Sequence, residues 1–207
     1  AAGIDVVLVV TVVNGVNNEQ VGPIVDFAIA NADKITVVSF QPVSFTGRDE
    51  DISDELRKKQ RYTLSHLAHD IKDQLGITEP TRDWFPLSAL GPFSDLTDLL
   101  MGEKAEWGSM KCGCHPNCGV GTILFVNKRT KQMVPLMDFL NVEQLLSDVG
   151  DITDAAQGRA ITMTELVLAL FKNFDGSKAP RGFTFYHLVR QFLSQTGADL
   201  AGFGALR

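Results

Sequence analysis

The sequence predicts an α/β protein, and three observations carry that prediction. Residues 6–13 form an almost continuous run of β-branched apolar side chains, the pattern of a strand buried on both faces, as in parallel sheets. Residues 35–41 repeat the pattern and stop at Pro42. Between them, Val21, Ile24, Val25, Ala28 and Ile29 recur at helical spacing over residues 19–32. Strand, helix, strand and a further helix in this order make a βαβα unit, and parallel strands need such a crossover. Two strands do not make a stable open parallel sheet alone. The region therefore reads as the C-terminal end of a larger α/β architecture.

The remaining elements follow in chain order. Asn14-Gly15-Val16-Asn17-Asn18 breaks the first strand, and Pro23 suits the first turn of the helix that follows. Residues 48–61 are of mixed charge and read as a solvated segment or a short exposed helix. Thr63 is placed to cap a helix over 64–75 that stops at Gly76. A second region opens near Trp84, with a short helix over 93–101 ended by Gly102. Residues 121–126 and 132–136 read as two strands joined by a basic turn, Asn127 to Lys131. Helices follow over 142–149, over 163–174 behind a Thr162-x-x-Glu165 capping box, and over 183–195. The spans expected are 1–83 for the βα units, 84–140 for a cysteine-containing α+β region and 141–207 for C-terminal helices.

Composition excludes several classes. With 44% hydrophobic and 21% charged residues over 207 positions, the chain is of ordinary globular type. A net charge of −6, with no basic cluster framed by aromatics, gives no support for nucleic-acid binding. No apolar run reaches transmembrane length and no secretory leader pattern is present. Few, clustered cysteines fit a reducing cytoplasm, which is the location expected.

All three cysteines lie in one seven-residue stretch, Cys112-Gly-Cys114-His115-Pro-Asn-Cys118. Thiols this close repel once ionised unless a cation shares them, and Gly113, Pro116, Gly119 and Gly121 allow the backbone to wrap such a centre. Cys112, Cys114 and Cys118 are thus candidate ligands of an iron–sulfur cluster or another metal. Zinc with His115 or a remote ligand and ordinary free thiols are the alternatives.

The stretches from Val9 to Gly22 and from Ser39 to Arg48 resemble the radical S-adenosylmethionine superfamily. The first is similar to a segment of its molybdopterin-precursor cyclase branch, and the second, with Arg61-Tyr-Thr63 and the His115-Pro-Asn-Cys-Gly119 loop, resembles its branch of archaeal tetraether-lipid synthases. The resemblance covers roughly residues 4–140. It implies the C-terminal part of a partial TIM-type (βα) barrel with S-adenosylmethionine and substrate at the strand ends. It implies a 5′-deoxyadenosyl radical for C–H activation of a small-molecule or lipid substrate, and an electron donor. On this carry-over Thr11, Val13, Phe40, Gln41 and Pro42 line the adenosine end of the pocket, and Cys112, Cys114 and Cys118 hold an auxiliary [4Fe–4S] cluster. The superfamily's CxxxCxxC motif is absent from the sequence. The chain is therefore expected to be the C-terminal portion of an enzyme whose cluster motif lies upstream, and to be inactive alone. A non-catalytic metal-binding module and a degenerate α/β scaffold are the competing readings.

Overall fold

The computed structural model describes residues 6–45, 51–102, 116–155 and 157–195. The chain is mixed α/β and divides into two compact units, one of residues 1–84 with 122–135 and one of residues 85–121 with 136–207.

The first unit is built on strand β1 (Val6–Val12) and strand β2 (Ile35–Pro42), paired in parallel across helix α1 (Val21–Ala30). Side chains alternate across a strand, so the register sets two faces. Val10 pairs with Phe40 and Val12 with Pro42 on one face, while Val7 pairs with Val37, Val9 with Ser39 and Thr11 with Gln41 on the other. Helix α1 and helix α3 (Leu64–Leu75) cover the first face, where Val12, Val21, Val25, Ile29, Tyr62, Leu67 and Ile71 form the core. The second face is uncovered among the described residues, leaving Val7 51% and Val9 62% exposed. The expectation of strands buried on both faces is thus met on one face only. The apolar pattern is the same on both sides, but the described elements supply cover for one.

Local signals worked where the determinants are local. The Thr63 hydroxyl accepts from the His66 amide at 3.3 Å, and Gly76 ends α3 at φ +69°, its N–H donating to the Lys72 carbonyl. Within the mixed-charge segment, helix α2 (Asp54–Gln60) forms behind a Ser53 cap. Tyr62, buried beside β1, donates to Asp70 at 2.7 Å. Burial first, then the hydrogen bond and charge of Asp70, pushes its hydroxyl well above the usual phenol range. The turn leaving α3 closes on Asp83, whose fully buried carboxylate accepts from the Glu79 amide and from two nitrogens of Arg82.

The second unit starts with strand β3 (Phe85–Pro86), a 3₁₀ turn over Leu87–Leu90 and helix α4 (Gly91–Met101). Strand β4 (Val120–Gly121) pairs antiparallel with β3. Strands β5 (Leu124–Val126) and β6 (Met133–Pro135) form the predicted basic-tipped hairpin, but it belongs to the first unit, where Val126 and Met133 pack on the core. The single strand expected over 121–126 is therefore split, because its two ends pair with different partners.

After helix α5 (Leu136–Phe139) come α6 (Val142–Ala155), α7 (Arg159–Asn173) and α8 (Phe185–Gln195). Helix α6 runs through Gly150 rather than stopping at Val149. Helix α7 starts three residues before the expected capping box: Gly158 is its cap, and the Thr162 hydroxyl donates back to the Gln157 carbonyl at 3.1 Å. Thr162 is fully buried inside α7, and its hydroxyl bonds a carbonyl instead of capping an amide. Phe139, 1% exposed, meets Phe174 and Phe183 edge-on at centroid distances of 6.1 and 5.6 Å. Asp148 on α6 accepts from Lys172 and Asn173 on α7. The Gln144 hydrogen bond, helped by Asn173 and Lys172 and opposed by burial, holds its carboxyl below the usual value.

Candidate functional site

In sheets of parallel strands joined by helices, ligands bind beyond the carboxyl ends of the strands, where loops are free to vary. Here that end is formed by residues 11–18 after β1 and residues 41–45 after β2. Thr11 and Gln41 are register partners on the uncovered face, both exposed, and neither side chain has a hydrogen-bond partner among the described residues. Phe40 and Pro42 point to the opposite face, and Phe40 packs against the core of the first unit. The five residues expected to line a pocket therefore do not share one surface. Thr11 and Gln41 come together, while Phe40 and Pro42 support them from behind the sheet.

Val13 lies just past the ladder, and its backbone groups are already bonded. Its N–H donates to Asn17 Oδ1 at 2.8 Å, and its carbonyl accepts from the amides of Val16 and Asn17. Val13 can thus offer a ligand only its side chain. The loop is instead ordered by its asparagines. Asn17 Nδ2 donates to the Thr11 carbonyl at 2.9 Å, and Asn18 Oδ1 accepts from the Gly15 amide at 2.8 Å. Asn14 donates from its side chain to the Lys59 carbonyl and from its backbone to the Gln60 carbonyl, at the C-terminal end of α2. Gly15, at φ +71°, makes the turn that only glycine takes without strain.

Sequence reasoning read this Asn-rich run as a strand breaker and overlooked its bonding role. The signal was present, since asparagine side chains mimic backbone turns. The anchoring carbonyls of α2 left no signal, because any residue type supplies one.

Cys112, Cys114 and His115 lie outside the described residues. Cys118 is exposed at the end of a 3₁₀ turn, Pro116–Cys118. The turn is fixed by its neighbour: the Gly119 carbonyl accepts from the Leu87 amide at 3.0 Å, and a Cβ on Gly119 would come within 2.9 Å of Leu87 Cδ1. Among the described residues no group of three His, Cys, Asp or Glu side chains is arranged to hold a metal ion, and no helix is long and apolar enough to cross a membrane.

The fold is mixed α/β, with Thr11 and Gln41 exposed together near the carboxyl ends of a parallel strand pair. No protein-family model matches the chain. It is similar to the 7,8-dihydro-6-hydroxymethylpterin dimethyltransferase of Methanocaldococcus jannaschii, with 28% identity over 205 residues covering 97% of this chain and 39% of that protein. The chain thus spans about two fifths of the length of the curated relative it matches.

Proposed function

We propose that this chain is part of a radical S-adenosylmethionine enzyme that modifies a small heterocyclic molecule. The observation that carries the reading is the uncovered face of the β1–β2 pair, where exposed Thr11 and Gln41 meet at the carboxyl ends of two parallel strands. An apolar sheet face with polar groups gathered at the strand ends is what the interior of a βα barrel requires. On this reading the face is completed by further βα units of the same enzyme.

The relative is named as a dimethyltransferase, and S-adenosylmethionine is a methyl donor of the kind such a reaction needs. Its substrate, a dihydropterin by name, directs the proposal toward a fused nitrogen heterocycle and away from the lipid chains of the tetraether branch. Thr11 and Gln41 would contact the S-adenosyl group, with Val13 adding apolar contact. Phe40 and Pro42 would act from behind the sheet.

The cysteine stretch would hold an auxiliary [4Fe–4S] cluster through Cys112, Cys114 and Cys118. Cys118 fits that role: its thiol is exposed and its backbone is pinned by the Leu87–Gly119 contact. Bound there, the cluster would supply electron transfer or a coordination site; the protein's part is to fix the thiolates and the amides around them.

Anaerobic reconstitution with iron and sulfide tests the cysteine assignment. The wild-type chain should take up iron with a visible charge-transfer band, and Cys118→Ser should lose most of it, since ligand sets act as units. Equal iron in both proteins, or none in either, would remove the cluster from the proposal. Calorimetric titration with S-adenosylmethionine tests the strand ends: Gln41→Ala should weaken binding several-fold, whereas a chain that binds no S-adenosyl compound would sink the reading.

A further inference from the structure

Gln74 sits in the last turn of α3, outside the strand ends, and its side chain spans the entry to α1. Its Oε1 accepts from the Gly22 amide at 2.7 Å, and its Nε2 donates to the Asn18 carbonyl at 3.0 Å. The first N–H groups of a helix have no intrahelical partner, so Gln74 satisfies one of them from a different helix. Gly22 makes this approach feasible: a Cβ there would lie 2.8 Å from both Cβ and Oε1 of Gln74.

The two bonds begin a relay into the loop. Gln74 fixes the backbone of Asn18, the Asn18 side chain accepts from the Gly15 amide, and the preceding residue, Asn17, closes on Thr11 and Val13. On its other side the loop is held through Asn14 by the carbonyls of Lys59 and Gln60. Residues 14–18 are thus clamped between α2 and α3, and Gln74 is the side chain through which α3 acts.

We infer that Gln74 is a positioning residue: it sets the shape of loop 14–18 and so the affinity of the strand ends for an S-adenosyl ligand, an inference that rests on the reading given above. A loop ordered in advance binds without the entropy cost of ordering. Once the bridge is lost, that cost falls on the ligand although no contacting group has changed. A residue that only stapled α3 to α1 would alter stability and leave the affinity of the folded protein intact.

The test is calorimetric titration of the full chain with S-adenosylhomocysteine, together with amide hydrogen exchange at Gly15. Gln74→Met keeps the length of the side chain and removes both bonds. Gln74→Glu keeps the acceptor for Gly22 and loses the donor to Asn18. Gln74→Met should bind about tenfold more weakly than wild type, Gln74→Glu should fall between them, and exchange at Gly15 should quicken in both. Wild-type affinity in the variants, with binding by the wild type itself, overturns the role of Gln74 and leaves the functional reading standing. Absence of binding by the wild type overturns that reading and this inference with it. Should Gln74→Met fail to fold, Gln74→Glu decides alone, since unchanged affinity in it contradicts the relay.

Discussion

Val9 and Phe139 are both large apolar side chains on regular elements, yet Val9 is 62% exposed and Phe139 1%. Phe139 is enclosed within its own unit by Phe174 and Phe183 and by the chain around Leu140 and Asp175. Val9 lies on a strand whose helices α1 and α3 protect the opposite face. Around Phe139 the second unit closes a core, although Leu168 and Phe171 on α7 stay exposed, while the first covers one side of its sheet and, among the described residues, leaves the other apolar and open. Contiguous exposed apolar patches are uncommon on soluble monomers.

Truncation should separate the two units most sharply at Phe139. Phe139→Ala removes an aromatic ring from a closed cluster and should cost about 3–5 kcal/mol in denaturant unfolding. A loss below about 1 kcal/mol would mean that the cluster contributes little to the second unit. In the first unit, Tyr62→Phe tests the covered side of the sheet. It deletes the hydrogen bond to Asp70 and should cost about 1 kcal/mol; a neutral result would show Asp70 re-solvated without loss.

Acid titration probes the link between α6 and α7. The folded Asp148 carboxyl titrates below its ordinary value of 3.8, so its contribution is complete above that pH and is lost as pH falls through the folded value. Lys172 is well exposed, so solvent screens the pair, which keeps the effect to roughly a fraction of a kcal/mol. In Asp148→Asn the acid limb of the stability curve should be flatter than in wild type, and identical limbs would contradict the assignment. The smallest effect is expected on the open face. Val9→Thr should change stability by less than about 0.5 kcal/mol, and a larger cost in the full chain would mean that the face is covered.

Much of the architecture was legible. The two strands, α1, α3 with its Thr63 cap and Gly76 stop, and the β5–β6 hairpin all follow from periodicity and turn residues. The candidate site was legible only in outline. Thr11 and Gln41 each lie one residue before the end of a strand, and alternation along β2 sets Phe40 and Gln41 on opposite faces; that Gln41 falls beside Thr11 is decided by strand register, which the sequence does not show. Gln74 gave no signal, for nothing in a helical Gln announces a partner 52 positions away. Gly22 alone hinted at a close approach there.

What the sequence determined by itself is whatever neighbours a few positions apart decide: Thr63 facing the His66 amide, Gly76 taking a positive φ, β-branched runs preferring strands. The tertiary structure decided the rest where two local options competed. Thr162 had the pattern of a cap, but its burial in the interior of the second unit set it inside α7. Residues 121–126 had the pattern of one strand, but Gly121 pairs with Phe85 and Leu124 with Pro135, so the strand breaks between them. In each case the local preference is worth less than the burial or pairing gained elsewhere, and that difference exists only once distant parts of the chain have met.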